Sequence, residues 1–262
     1  MQLAWLTDIH LNFVKPDDRQ TFYASVREAQ PDAVLLSGDI AEAPTIIEYL
    51  TEIERGLKVP VYFVLGNHDF YRSSFSIVEK RVREVPSNLI WLTASDVQWL
   101  GEDTALVGDD GCADGRFGNF EASPIFLNDY LLINEFVGLE KPARLRLMNH
   151  LGDAAAARIK PKLHAACTQR KRVILVTHVP PFRESCRYNG KISDDDWLPH
   201  MSSKAMGDAI IEVMDQYPEC KLQVLCGHTH GEAMVQIRPN ITAVTGGAQY
   251  GRPAIQSIVE VY

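Results

Sequence analysis

The chain of 262 residues is short of cysteine, of net positive charge and of long apolar runs. Its five cysteines (Cys112, Cys167, Cys186, Cys220 and Cys226) are odd in number and nowhere spaced C-x-x-C. This argues against a disulfide framework or a structural zinc site, and for a reducing compartment. No apolar run reaches the roughly 18 residues a membrane-spanning helix needs, which excludes a membrane partner of that kind. There is no Ser/Pro/Gly linker, low-complexity tract or fixed-period repeat, so residues 1–262 are expected to form a single domain with one large core. The net charge is −8. Affinity for nucleic acid rests on clustered Lys and Arg that displace counterions, so an acidic chain is a poor candidate for that partner. The one basic cluster, Arg170-Lys171-Arg172, directly precedes an apolar run and reads as a solvated corner.

What the chain does have is a run-and-stop pattern, repeated five times. Val61 to Leu65 is β-branched, aromatic or aliphatic throughout, follows Pro60, and reads as a strand buried on both faces. It stops on Gly66-Asn67-His68-Asp69. Taken alone, that tetrapeptide is also ordinary turn chemistry. However, Leu3 to Leu6 runs into Asp8-Ile9-His10, Ala33 to Leu36 into Ser37-Gly38-Asp39, Val173 to Val176 into Thr177-His178, and Leu222 to Leu225 into Gly227-His228-Thr229-His230. Five of the eight histidines fall in these endings, and unrelated turns would not sort them so. Polar, ligand-capable residues at the carboxyl ends of buried strands are where open α/β sheets place their sites. In Asp8-x-His10 and His228-x-His230 the i, i+2 spacing puts both side chains on one side of an extended chain.

In that order, Asp8-x-His10, Gly38-Asp39, Gly66-Asn67-His68-Asp69, His178 and Gly227-His228-x-His230 resemble the calcineurin-like metallophosphoesterases. The variants look like the bacterial, class III cyclic-nucleotide phosphodiesterase-like branch. The Ser/Thr protein phosphatases instead carry GDYVDRG and GNHE where this chain has Gly38-Asp39-Ile40-Ala41-Glu42-Ala43 and GNHD. The resemblance implies an α/β fold, an αββα sandwich of two mixed sheets with helices on both outer faces. It also implies hydrolysis of a small phosphoester by a metal-bound hydroxide at a pair of divalent transition-metal ions. A donor set of imidazole, carboxylate and amide without thiolate suits Mn, Fe or Zn. By resemblance, one ion takes Asp8, His10 and His230, the other takes Asn67, His178 and His228, and Asp39 bridges them. His68 would be the general acid toward the leaving oxygen, and the family position for its carboxylate partner is Glu42. Since the protein-phosphatase arginine position is Ala43, a phosphate-gripping arginine has to come from Arg116, Arg183, Arg187 or Arg252, each also readable as a surface residue. His150, His164 and His200 lie outside the pattern and read as structural or solvated. A phosphodiester is the expected substrate, with a phosphomonoester and a non-catalytic scaffold as alternatives. Because Asp8 and His10 lie where a signal peptide would be cut away, the expected location is cytoplasmic.

The order of elements predicts how these pieces connect. Strands at Met1–Leu6, Ala33–Leu36 and Val61 onward alternate with helices from Asp17 or Asp18 to about Gln30, from Thr45 to Gly56, and from Ser73 or Ser74 to about Val85. Such a β-α-β-α-β-α run implies parallel strands with right-handed crossovers. Ile90–Leu92, Val97–Leu100 and Thr104–Val107 look like a meander beginning the second sheet. Ala143–Thr168 reads as a helix interrupted near Pro161, and another helix runs from Ser202 or Ser203 to Tyr217. Ile241–Val244 and Ile255–Tyr262 are closing strands. Two irregular stretches, 108–139 and 181–202, carry glycines and aromatics and are expected to be substrate-side insertions.

Overall fold

A computed structural model describes residues 1–261. Its strands are β1 (Gln2–Leu6), β2 (Ala33–Ser37), β3 (Val61–Val64), β4 (Leu89–Trp91), β5 (Gln98–Leu100), β6 (Thr104–Gly108) and β7 (Arg172–Val176). They continue with β8 (Arg187–Tyr188), β9 (Lys191–Ile192), β10 (Lys221–Cys226), β11 (Ala233–Arg238), β12 (Ile241–Thr245) and β13 (Ile255–Glu260). The helices are α1 (Pro16–Glu28), α2 (Ile46–Leu57), α3 (Phe75–Val82), α4 (Asp129–Leu132), α5 (Lys141–Gln169), α6 (Leu198–Met201) and α7 (Lys204–Met214). Two mixed sheets result, in the orders β13-β1-β2-β3-β4 and β11-β12-β10-β7-β6-β5, with β8 and β9 as a separate hairpin.

The period of two along each strand builds the layers. In β1, Leu3 and Trp5 point between the sheets, where they meet Leu35, Leu106, Ile174 and Leu225. Ala4 and Leu6 point outward under α1 and α2, whose Phe22, Val26, Leu50 and Ile53 cover them. On the second sheet Val173, Leu175, Leu222 and Val224 face outward in the same way, under Ile159 and Leu163 of α5 and Ile210 and Val213 of α7. Both faces of both sheets are therefore apolar, which is why the strands read as continuous hydrophobic runs. This is the expected αββα sandwich.

The details depart from expectation in four places. β4 pairs in parallel with β3 and stays in the first sheet. The α3 crossover delivers it there, so only β5 and β6 open the second. Helix α5 runs without a break through Pro161. An interior proline costs about 3 kcal/mol, but Ile159, Leu163 and Ala166 are completely buried around it, and each large apolar side chain so buried returns about 1.5–3 kcal/mol. Helix α1 begins at Pro16 instead of being capped by Asp17 or Asp18, because proline fits the first helical position, where no amide bond is lost. Finally, β13 ends at Glu260, and Tyr262 lies outside the described residues. Among the described residues no helix is long and apolar enough to cross a membrane.

Candidate metal centre

β1, β2 and β3 run parallel to one another, as do β6, β7, β10 and β12. The carboxyl ends of the two sets meet at one edge of the sandwich. The chain turns sharply there. Asp8, His10, Asp39, His228 and His230 all have positive φ, between 40° and 70°, and they are five of the nine non-glycine residues that do so among the described residues. Left-handed backbone at non-glycine residues is uncommon and concentrates where side chains must be aimed. Gly66 matters for a different reason: a Cβ there would collide with Asp39 Oδ1.

All seven expected ligands converge. Donor atoms of Asp8, His10, Asp39 and His230 lie within 4.8 Å of one another, with His10 Nε2 and His230 Nε2 only 3.2 Å apart and His230 Nε2 3.3 Å from Asp8 Oδ1. On the other side His178 Nε2 is 3.1 Å from Asn67 Oδ1 and 3.4 Å from Asp39 Oδ1, and the His228 ring stands 5.0 Å from that of His178. Asp39 spans the two groups, with Oδ1 on the His178 side and Oδ2 3.6 Å from His10 Nε2. The outer hydrogen bonds fix which nitrogens carry lone pairs inward. His178 Nδ1 donates to the Ser37 carbonyl at 2.8 Å, leaving Nε2 free, and His228 Nε2 donates to the His200 carbonyl at 3.3 Å, leaving Nδ1 free. Backing a ligand imidazole with a carbonyl in this way is usual in metal sites.

The charges also call for cations. Burial and the nearby Asp8 carboxylate push Asp39 well above the usual carboxylate range. Burial pushes Asp8 up as well, but the His230 hydrogen bond and the charge of His178 outweigh it and hold Asp8 low. Burial pushes His10 down to about 2 and His228 to about 4, and it lowers His178 and His68 in the same direction. Burial works against His230 too, yet the bond to Asp8 raises it. Neutral imidazole lone pairs gathered around two carboxylates that resist ionising together are a donor set for divalent ions. The residues present fit a two-ion centre.

His68 sits over this group with Nε2 3.9 Å from Asp39 Oδ2. Its ring lies 4.3 Å from that of Tyr71, and its Nδ1 is buried without a partner among the described residues. Glu42, expected to pair with His68, accepts from Arg72 Nε at 2.9 Å, while its charge still acts on the His68 ring. Of the four candidate arginines, Arg116 is held by Asp114 and Asp153, Arg183 by Asp195, and Arg187 by the Glu184 carbonyl. Arg252 does line a groove beside His230. His164 contacts Tyr217, and His200 ties Ser123 to Tyr130. Both are structural, as read from sequence.

Several neighbours of the site were not read from the sequence. Asp69 is fully buried and accepts from the amides of Ile40, Ala41 and Gly66, clamping two ligand loops together; its place in the GNHD block was the available signal. Tyr250 stacks 4.5 Å from His10, and Asp129 reaches Asn67 and Tyr71. Neither carries a local sequence signal. A groove of about 250 Å³ opens above Asp39, His68 and His230 between Tyr71, Trp197 and Tyr250. A second, of about 820 Å³, adjoins it past Tyr188, Ile192 and Trp197.

Over residues 1–232 the sequence matches the family model described as calcineurin-like phosphoesterase. No curated protein matches it. Among solved structures, phosphopantetheinyl hydrolase from Mycobacterium tuberculosis is similar with a TM-score of 0.69 at 16% identity, covering 96% of this chain and 90% of that one. A dimetal phosphatase from Danio rerio gives 0.58 at 13%, covering 94% and 87%. A protein from Thermus thermophilus gives 0.54 at 12%, covering 94% and 88%. At such identities the structures speak for the fold.

Proposed function

Since the chain belongs to the calcineurin-like phosphoesterases, a family of metal-dependent phosphoester hydrolases, we propose that it cleaves phosphodiesters at a two-ion centre. One ion is held by Asp8, His10 and His230, the other by Asn67, His178 and His228, with Asp39 shared. The observation that carries this reading is Asp39, whose two oxygens face the two donor groups separately. Bound divalent ions supply Lewis acidity and lower the pKa of water. The remaining work falls to the chain. His68 hands a proton to the departing ester oxygen from a ring steadied by Tyr71, and the aromatic groove aligns the ester arms. Residues 1–262 act as one domain, with 108–139 and 181–202 as its substrate-side insertions.

The preference for diesters rests on charge and room. A monoester carries nearly two negative charges and a diester one. Three of the four candidate arginines are engaged away from the cleft, and two connected grooves leave space for a second ester arm. The structural relatives are named for a phosphopantetheinyl hydrolase and for a phosphatase, so the choice rests on this chain's own cleft. With the same divalent ion, kcat/KM should be higher on bis(p-nitrophenyl) phosphate than on p-nitrophenyl phosphate. Asp39→Ala should lose both activities together with both ions. Faster turnover of the monoester with every ion tested would refute the diester assignment. Full metal content in Asp39→Ala would refute the shared carboxylate.

A further inference from the structure

We propose that Asp129 is a positioning residue that sets which end of the Asn67 amide faces the metal centre; this rests on Asn67 being a ligand of the second ion. The two ends of an amide are nearly the same size, so shape alone does not orient it, and only the oxygen is a ligand. Asn67 Oδ1 points at His178 Nε2, 3.1 Å away. Its other end, Nδ2, donates to Asp129 Oδ1 at 2.9 Å and lies 3.2 Å from the Tyr71 hydroxyl. That hydroxyl donates to the same carboxylate oxygen at 2.6 Å.

The reversed amide would set an oxygen against the Asp129 carboxylate and turn the only ligand atom of Asn67 away from the centre. A carboxylate accepts and never donates when ionised, so it tolerates only one orientation. Tyr71 depends on it: with its one proton given to Asp129, the hydroxyl oxygen can only accept from the amide NH2, whereas without Asp129 it could turn and donate to a reversed oxygen. The carboxylate is also held in place. Asp129 opens α4, whose Leu132 carbonyl accepts from Arg72 N at 2.6 Å, and Asn134 N donates to the Ser73 carbonyl at 2.9 Å. Glu135 accepts from Phe75 N at 2.9 Å. Through these bonds the insertion is fastened to the loop that carries Asn67 and His68. Partners one step outside the ligand shell typically govern 10–100-fold in metal affinity.

The test is calorimetric titration of the metal-stripped full-length protein with Mn(II), paired with thermal unfolding of the same samples. In Asp129→Ala one binding event is expected to keep its affinity while the other weakens about 10–100-fold, with little change in the unfolding midpoint of the stripped protein. Asp129→Asn keeps the shape but can present its own NH2 as readily as its oxygen, so it no longer dictates the orientation and should weaken the same event nearly as far as alanine does. Were Asp129 only filling space beside Asn67, the asparagine variant would bind both ions like the parent, which overturns the proposal. So do unchanged binding in Asp129→Ala and equal weakening of both events. Asp129→Ser, which admits water to the gap, gives the same reading if the alanine variant does not fold. Asn67→Ala separates the two layers of argument. If it binds both ions like the parent, the ligand assignment has failed; if it loses one ion while Asp129→Ala loses none, only the positioning role has.

Discussion

Asn67 and His68 are adjacent in the chain but face different partners. The amide of Asn67 is directed at His178, whereas His68 lies against Tyr71 and points one nitrogen toward Asp39 at 3.9 Å, beyond hydrogen-bond reach. Its other nitrogen, Nδ1, is buried with no partner among the described residues. An imidazole that is held by stacking, with Nε2 on the side of the centre and unbonded to Asp39, suits proton transfer to a substrate better than it suits ligation. His68→Ala should therefore retain its metal content by elemental analysis and lose about 10²–10⁴ in kcat, the usual range for a general acid. Loss of an ion in step with activity would make His68 a ligand and remove this division of labour.

At the scale of elements, the two irregular stretches form one body. Asp114 N and Gly115 N donate to the Ser202 and Pro199 carbonyls, and Asn119 N donates to the Asp195 carbonyl. His200 binds Ser123 at 3.0 Å through Nε2 and Tyr130 through Nδ1. His200→Ala would leave the buried Tyr130 hydroxyl only the Met148 sulfur at 3.7 Å, while Ser123 keeps the Asp196 carbonyl; the stranded hydroxyl costs about 1–3 kcal/mol, and the cavity left by the ring adds to it. A stability loss of about 2–4 kcal/mol in urea is expected, with limited proteolysis opening 108–139 and 181–202 at the same rate. Cleavage confined to one stretch would show that they are separate units. The strands carrying the ligands were legible in the sequence because each is a buried apolar run that ends on its functional residue, a purely local pattern. The hairpin of β8 and β9 had a local signal too, since Asn189-Gly190, both at positive φ, is the favoured two-residue turn between short strands. Asp129 had none: its meaning comes from Asn67 and Tyr71, 62 and 58 residues away. The continuity of α5 through Pro161 was hidden for the same reason, because burial against α7 decides it and propensity does not.

For the whole molecule, the centre is a seam. The first sheet supplies Asp8, His10, Asp39 and Asn67 from the ends of β1, β2 and β3, and the second supplies His178, His228 and His230 from β7 and β10. The seam is crossed by a few polar contacts such as His228 N to Asp8 at 3.0 Å and His178 to Ser37. Asp8 and Asp39 lie buried side by side there, each at 2% exposure or less, so removing divalent charge leaves a pair that cannot ionise together where little water reaches it, and Asp39 is pushed toward its protonated form. The ions bind the folded arrangement and not the open chain, so they stabilise it by mass action, about 2.7 kcal/mol for each site held at 100 times its Kd. In a domain of this size each kcal/mol moves the unfolding midpoint by about 2–4 °C. Chelation should thus lower the midpoint by about 5–10 °C per ion lost, and restoring Mn(II) should return it. Asp39→Ala should show almost no such shift in either direction, because it has neither the shared ligand nor the repulsion. If the parent protein melts at one temperature with and without chelator, the ions do not tie the sheets together and the seam holds on its hydrogen bonds and apolar packing alone.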